Sequence, residues 1–202
     1  MARKNKPTEV SVIKPLRVCY ADPPYLGYGH KNNSVYHYGD LHAEAADYDR
    51  LETHVALVQR LLAEFPDGWA LSLSTPSLKD LLPVCPRDCR VGAWVKPFCS
   101  FKSNVNPAYA WEPVIWRGGR KPPRYLETVR DYCSASITLQ TSCPGAKPEA
   151  FCMWIFRLLG LQPEDDFVDL FPGSGNVGLA WEAYKRCLTG LFAPALLSEG
   201  TS

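Results

Sequence analysis

The sequence predicts an α/β layered domain, and three observations carry that prediction. Short apolar runs with β-type composition alternate with segments of helical period. Two of those runs end abruptly in turn chemistry, at Asp22-Pro-Pro-Tyr25 and at Pro172-Gly-Ser-Gly175. A proline-led helical stretch from Pro148, a glycine stop at Gly160 and a second helical stretch from about Asn176 mark the C-terminal third.

Taken in order, residues 1–15 are polar and are expected to form a flexible N-terminal segment, with one domain over 16–202. Leu16 to Ala21 reads as a buried strand, stopped by two prolines that cannot continue a central strand. Residues 26–46 have no period and read as a long loop. Tyr48, Leu51, Val55, Val58 and Leu62 recur at helical spacing. Strands are expected at 68–74, 91–95 and 111–116, with a short helix from Ser77 to Leu82. A short strand is expected at 136–140. Pro148 suits a first helical position, and Phe151, Trp154, Ile155, Leu158 and Leu159 then mark one helix face. Asp166 to Phe171 reads as a strand, a second helix starts near Asn176, and Cys187 to Phe192 reads as a final strand.

The bulk numbers exclude several classes. With 202 residues, 46% hydrophobic and 21% charged, the chain can bury a real core. There is no run of 18 apolar residues and no apolar stretch behind the basic N-terminus, so neither a membrane span nor a signal peptide is expected. A net charge of +1 neither announces nor excludes a nucleic-acid partner, since local charge along the phosphate track decides binding. Eight cysteines without a secretion signal read as free thiols of a reducing, cytoplasmic setting. Cys85 and Cys89 form the tightest pair, but a zinc site wants a second pair and none is present, so no metal is expected.

Two motifs carry chemistry. A strand, a Gly-rich turn and a helix make a nucleotide or anion site: glycine allows close approach, and the helix start offers free N–H groups. Gly173-Ser-Gly175 lacks the Lys of a phosphate-binding loop, and Pro172 stands where a serine-hydrolase elbow needs a glycine two residues before Ser174. Asp22-Pro-Pro-Tyr25 suits amino methylation. An exocyclic amino group on a base is a poor nucleophile because its lone pair is delocalised into the ring. Acceptors on its two N–H groups draw the lone pair out. Asp22 offers a carboxylate, Pro23 and Pro24 offer rigidly aimed carbonyls, and Tyr25 offers an aromatic face worth ~1–3 kcal/mol to a stacked base.

Together, Asp22-Pro-Pro-Tyr25 and Asp169-Leu-Phe-Pro-Gly-Ser-Gly175 resemble the catalytic and cofactor motifs of the amino-directed DNA methyltransferases that use S-adenosylmethionine (AdoMet). The catalytic motif comes first here, as in the circularly permuted beta group of that family, and Ala146-Lys-Pro-Glu149 matches the family's segment before the Gly turn. The resemblance spans most of residues 16–192. It implies a single-domain Rossmann-like methyltransferase fold: a mixed seven-stranded sheet with helices on both faces. It implies a monomeric or homodimeric cytoplasmic enzyme that methylates adenine in DNA. RNA adenosine, DNA cytosine, or a non-catalytic nucleic-acid-binding protein on the same scaffold are the alternatives.

The resemblance also implies roles. Asp22, Pro23, Pro24 and Tyr25 would be catalytic. Cys19, Tyr20, Ala21 and Asp22, Lys147 and Pro148, and Asp169, Leu170, Phe171, Gly173, Ser174, Gly175 and Asn176 would line the AdoMet pocket. Tyr25, His30, Lys31 and Asn32, with Arg117, Arg120, Lys121 and Arg124 of a basic segment over 96–135, would contact substrate. The sequence departs from the family in two ways: it has no large target-recognition insert, for which 96–135 is the candidate substitute, and it lacks the usual ribose carboxylate. Phe192 falls where an acidic residue usually holds the cofactor ribose, and the later carboxylate side chain is Glu199. The ribose is then held by another group, or cofactor binding is weak, or catalysis has been lost. Glu112 is expected to be no more than structural.

Overall fold

The computed structural model describes residues 14–26, 45–98, 105–122, 127–138 and 146–192. Among them, six strands form one mixed sheet in the order β5-β3-β4-β2-β1-β6: β1 (Arg17–Ala21), β2 (Gly68–Ser72), β3 (Arg90–Val95), β4 (Trp111–Gly118), β5 (Tyr132–Ser134) and β6 (Asp166–Asp169). The helices are α1 (Leu51–Glu64), α2 (Leu78–Leu81), α3 (Glu149–Leu158) and α4 (Asn176–Phe192). β1 lies parallel to both β2 and β6, while β4 runs antiparallel to β2 and β3.

The period of two along each strand sorts side chains between two cores. Val18 and Tyr20 of β1, Ala70 of β2 and Val114 and Trp116 of β4 face α3 and α4. Cys19 and Ala21, Trp69 and Leu71, and Ile115 face α1. Helices thus cover both faces, and β1 and β2, apolar on both, read as the continuous hydrophobic runs of buried parallel strands. On the α3–α4 side, Phe156 meets Phe167 and Trp181 edge-on at 5.1 and 5.3 Å. Such aromatic pairs add to the burial of their large surfaces.

Four expectations are corrected. The buried stripe of α1 is His54, Leu57, Val58 and Leu61, one step round from the predicted face, and Leu51 is exposed. The extra strand is β5 at Tyr132–Ser134, paired parallel to the β3 edge, while 136–138 are irregular. Pro148 is the N-cap of α3 and not its first residue; its carbonyl accepts from the Phe151 and Cys152 N–H groups. Residues 187–192 continue α4 and form no strand. The helix period begun by Val177, Ala180, Trp181 and Tyr184 runs on through them, and a single Gly190 does not stop it, since glycine in a helix costs only about 1 kcal/mol. The six strands seen fall one short of the seven expected.

The end of the sheet where β1 and β6 begin is clamped by one carboxylate. Asp165, its side chain fully buried, accepts from both terminal nitrogens of Arg120 (2.8 and 2.9 Å) and from the Leu16 and Gln162 N–H groups (2.8 and 2.7 Å). Arg120 also donates to the Gly160 and Lys14 carbonyls. Burial alone would raise the Asp165 pKa, but Arg120 and the two N–H donors outweigh it and hold it below the usual carboxylate range. The clamp is therefore complete at neutral pH and fades only as acid protonates the group below that range. Asp165→Ala strands a partly buried guanidinium and two N–H groups. Urea unfolding at neutral pH should show a loss of about 3 kcal/mol; a loss under about 1 kcal/mol would mean that the clamp contributes little.

Candidate active site

The two motifs meet because their strands are neighbours. β1 and β6 pair with Tyr20 opposite Asp169, and the Leu170 N–H donates to the Tyr20 carbonyl at 3.0 Å. Asp22 and the Gly turn therefore leave the sheet side by side, at the carboxyl ends of parallel strands, where open α/β sheets bind ligands.

The turn has the shape that its sequence requires. Gly173 and Gly175 have φ of +44° and +77°, a region that side chains disfavour. A Cβ at Gly175 would meet nothing within 4 Å, and one at Gly173 only the Phe171 carbonyl at 3.8 Å, so the turn's surface is open to close approach. Ser174 Oγ accepts from the Asn176 N–H at 3.4 Å, at the start of α4. Asp169 Oδ1 accepts from the Phe171 N–H at 3.3 Å, but its buried Oδ2 has no hydrogen-bond partner among the described residues. Burial, with a contribution from nearby Asp22, pushes the Asp169 pKa up to about 6.

Asp22 sits in a compact polar cluster. Lys147 Nζ is 2.9 Å from Asp22 Oδ1, 3.1 Å from the Tyr25 hydroxyl and 3.6 Å from Glu112 Oε2. Tyr25 has one proton to give. Glu112 Oε2 lies at 2.8 Å and Asp22 Oδ1 at 3.2 Å, so the proton goes to Glu112. Lys96 pairs with Glu112 Oε1. The Trp94 ring lies under both ammonium groups, 4.6 Å from Lys96 and 5.5 Å from Lys147. Lys147 and Lys96 are 5% and 11% exposed at the side chain, so their charges need these carboxylates. Burial raises the Asp22 pKa, against the pull of Lys147. Burial would also raise that of Glu112, but its two lysines prevail and lower it. Tyr25 is pushed well up by burial and by the two carboxylates, so it stays a neutral phenol.

The expected site residues divide into groups. Asp22, Tyr25 and Lys147 come together as described, with Pro23 buried between Asp22 and Tyr25 in the chain. Lys147, Pro148 and Asn176 line one cavity of about 360 Å³, with Leu179 and Ala180 of α4. Cys19, Tyr20 and Ala21 are core residues with at most 1% exposure, and the Tyr20 hydroxyl is bound to Ser72 Oγ at 2.7 Å. Leu170 and Phe171 are half-buried, and Phe171 packs edge-on to Tyr48. Arg117 and Arg120 belong to the opposite end of the sheet. Arg117 stands across from Trp69 at the start of β2 and donates to both oxygens of Asp88, and Arg120 serves the Asp165 clamp. Exposed Lys121 follows Arg120 there. About 13 Å of strand separates that end from Asp22. His30, Lys31, Asn32 and Arg124 lie outside the described residues. So does Glu199, while Phe192 ends a helix and not a strand.

Sequence reasoning missed Glu112 as part of the site. Its signal was present: Glu112, Val114 and Trp116 share one face of β4, and a carboxylate in line with two core residues calls for a buried cation.

No protein-family model matches this sequence, and no curated protein is detectably related to it by sequence. The fold is similar to that of M1.HpyAVI in its complex with SAM, with a TM-score of 0.55 and 16% identity over 85% of this chain and 79% of that one. A second crystal structure of M1.HpyAVI gives a TM-score of 0.51 and 15% identity, covering 85% and 77%. The α/β architecture is thus shared with a solved fold.

Asp169→Asn tests the buried acid. A pKa raised in the folded state means that the native protein binds more protons than the unfolded chain between about pH 4 and 6, so the ionised group weakens the fold as pH rises through that window. The neutral asparagine should add on the order of 2 kcal/mol to the ligand-free protein at pH 7 and almost nothing at pH 3.5. Thermal melts across that range check it; an equal effect at both pH values would contradict the assignment.

Proposed function

We propose that this chain is an AdoMet-dependent methyltransferase acting on the exocyclic amino group of adenine in DNA. The observation that carries the reading is the pairing of Tyr20 with Asp169, which sets an amino-holding Asp-Pro-Pro-Tyr run next to an open Gly turn. The likeness to M1.HpyAVI, crystallised with SAM, supports the choice of cofactor.

The residues present fit that cofactor. AdoMet carries an ammonium and a sulfonium, and Asp169 has a buried carboxylate oxygen without a partner. Gly173 and Gly175 leave room for close approach, and the cavity beside Lys147, Pro148 and Asn176 has volume for part of the molecule. Asp169, the Gly turn and these cavity residues would hold it. When bound, AdoMet supplies a methyl group made electrophilic by the sulfonium.

The chain's own work is to hold the amino group and take its proton. Asp22 would accept one N–H and the Pro23 carbonyl the other, turning the nitrogen lone pair outward. An amino nitrogen that gains a methyl group must lose a proton. Asp22, whose pKa is raised by burial, is a stronger base than an exposed carboxylate and would pass that proton to solvent. Tyr25 offers the stacking surface. A base in a duplex must be turned out of the stack to reach this site. Adenine and DNA are chosen because the Asp-Pro-Pro-Tyr form resembles the adenine branch of the amino-directed DNA enzymes.

Asp22→Ala tests the assignment. Lys147 keeps Glu112 as a partner in that variant, so folding should survive. Transfer of labelled methyl to unmethylated DNA should fall by about 10³-fold or more. AdoMet affinity, measured by calorimetry, should stay within a few-fold. Retained transfer would overturn the role of Asp22.

A further inference from the structure

We propose that Glu112 is a positioning residue for Asp22: it fixes the Tyr25 hydroxyl and offers Lys147 a second carboxylate, so that Asp22 can exchange its ion pair for an incoming amino group. The inference rests on the amino-methyltransferase reading for its purpose, but not for its geometry.

Lys147 already holds the group that would receive the base. Asp22 Oδ1 is already held by Lys147 at 2.9 Å, with the Tyr25 hydroxyl at 3.2 Å. Lys147 therefore competes with an incoming base N–H for the charge of Asp22, most directly at Oδ1. Lys147 is 5% exposed and cannot carry its charge to water without leaving the site. Glu112 Oε2 lies 3.6 Å from the same ammonium, so a shift of about an ångström transfers the ion pair from one carboxylate to the other within ordinary hydrogen-bond lengths.

Glu112 is built to receive that charge. Its Oε1 is tied to Lys96, which rests on the Trp94 ring, and Trp94 stands directly across from Glu112 in the β3–β4 ladder. Its Oε2 accepts from the Tyr25 hydroxyl at 2.8 Å, a contact that does not pass through Lys147. Two lysines and two carboxylates leave the cluster neutral overall, so Lys147 can change partners without leaving a net buried charge. The same contact anchors the tyrosine whose ring would carry the base.

The charged and titratable groups acting on Asp22 are Lys147, Glu112, Tyr25, Tyr20, Cys152 and Asp169. Of these, Glu112 opposes its ionisation and Lys147 favours it. That gives a test independent of turnover: titration of the Asp22 carboxyl carbon by NMR in the ligand-free protein, in the wild type, Glu112→Gln and Lys96→Met. Glu112→Gln removes the opposing charge and leaves Lys147 to Asp22 alone, so the midpoint should fall. Lys96→Met makes Glu112 draw harder on Lys147, so the midpoint should rise. A residue that only supported the fold would lower stability without moving the midpoint in opposite directions. Unmoved midpoints, or shifts of the same sign, overturn the proposal. If Glu112→Gln does not fold, the direction in Lys96→Met decides.

In methyl transfer, kcat of Glu112→Gln should drop by about 10²-fold. AdoMet affinity should stay within twofold, and the acid limb of the pH profile should move down with Asp22. A wild-type kcat overturns the catalytic purpose. Opposite midpoint shifts in a protein that methylates no nucleic acid support the charge exchange and remove the methyltransferase reading, so the two failures are distinct.

Discussion

Leu170 donates its N–H to the carbonyl of Tyr20, and from that point β1 and β6 leave the sheet together. The rest of the site depends on this parallel pairing. β1 ends in two prolines, so the chain turns away at Asp22 and cannot add another rung to the ladder. β6 ends in a turn whose glycines stand at positive φ and whose outer surface is open. A one-residue slip would send every side chain of one strand to the wrong core. Val18 and Tyr20 on one face, and Cys19 and Ala21 on the other, are all buried, so that slip is heavily penalised. Packing on both faces thus fixes where the two loops leave the sheet.

The electrostatics follow from the burial that this pairing creates. Asp22, Glu112, Lys147 and Lys96 lie at the mouth of the α3–α4 core, against Trp94 and Phe151. None could stay charged there singly. Together they form a row of two carboxylates and two lysines, with the Tyr25 hydroxyl bonded between Lys147 and Glu112. Asp169 is the exception: one of its oxygens has no protein donor, and its raised pKa reflects that. A neutralised row beside an unsatisfied acid is an arrangement ready for a cationic ligand on one side and an N–H donor on the other.

Much of this was legible in the sequence. The α/β class and the strands carrying both motifs follow from period and from proline and glycine punctuation, because each of those strands is short, apolar and sharply stopped. The face of α3 also follows, since its stripe is purely apolar. The stripe of α1 contains His54, a polar residue held by the Tyr48 carbonyl, and so the apolar pattern pointed one step aside. Cys187 to Phe192 has strand-like composition, yet it extends a helix already nucleated. The placement of the basic segment was not legible for a different reason. Charge in a sequence does not say at which end of a strand it lies, and β4 carries Arg117 away from the site while it delivers Glu112 to it. Long-range partners such as Asp165 for Arg120, or Glu112 for Tyr25, become visible only once the antiparallel register is known.

The most direct test of the central claim is the identity of the modified nucleoside after DNA and RNA are each incubated with the protein and isotopically labelled AdoMet, then digested and analysed by mass spectrometry. The account predicts labelled N6-methyladenine from DNA. Labelled methylcytosine, label recovered only from RNA, or no labelled nucleoside from a folded protein that binds nucleic acid would contradict it.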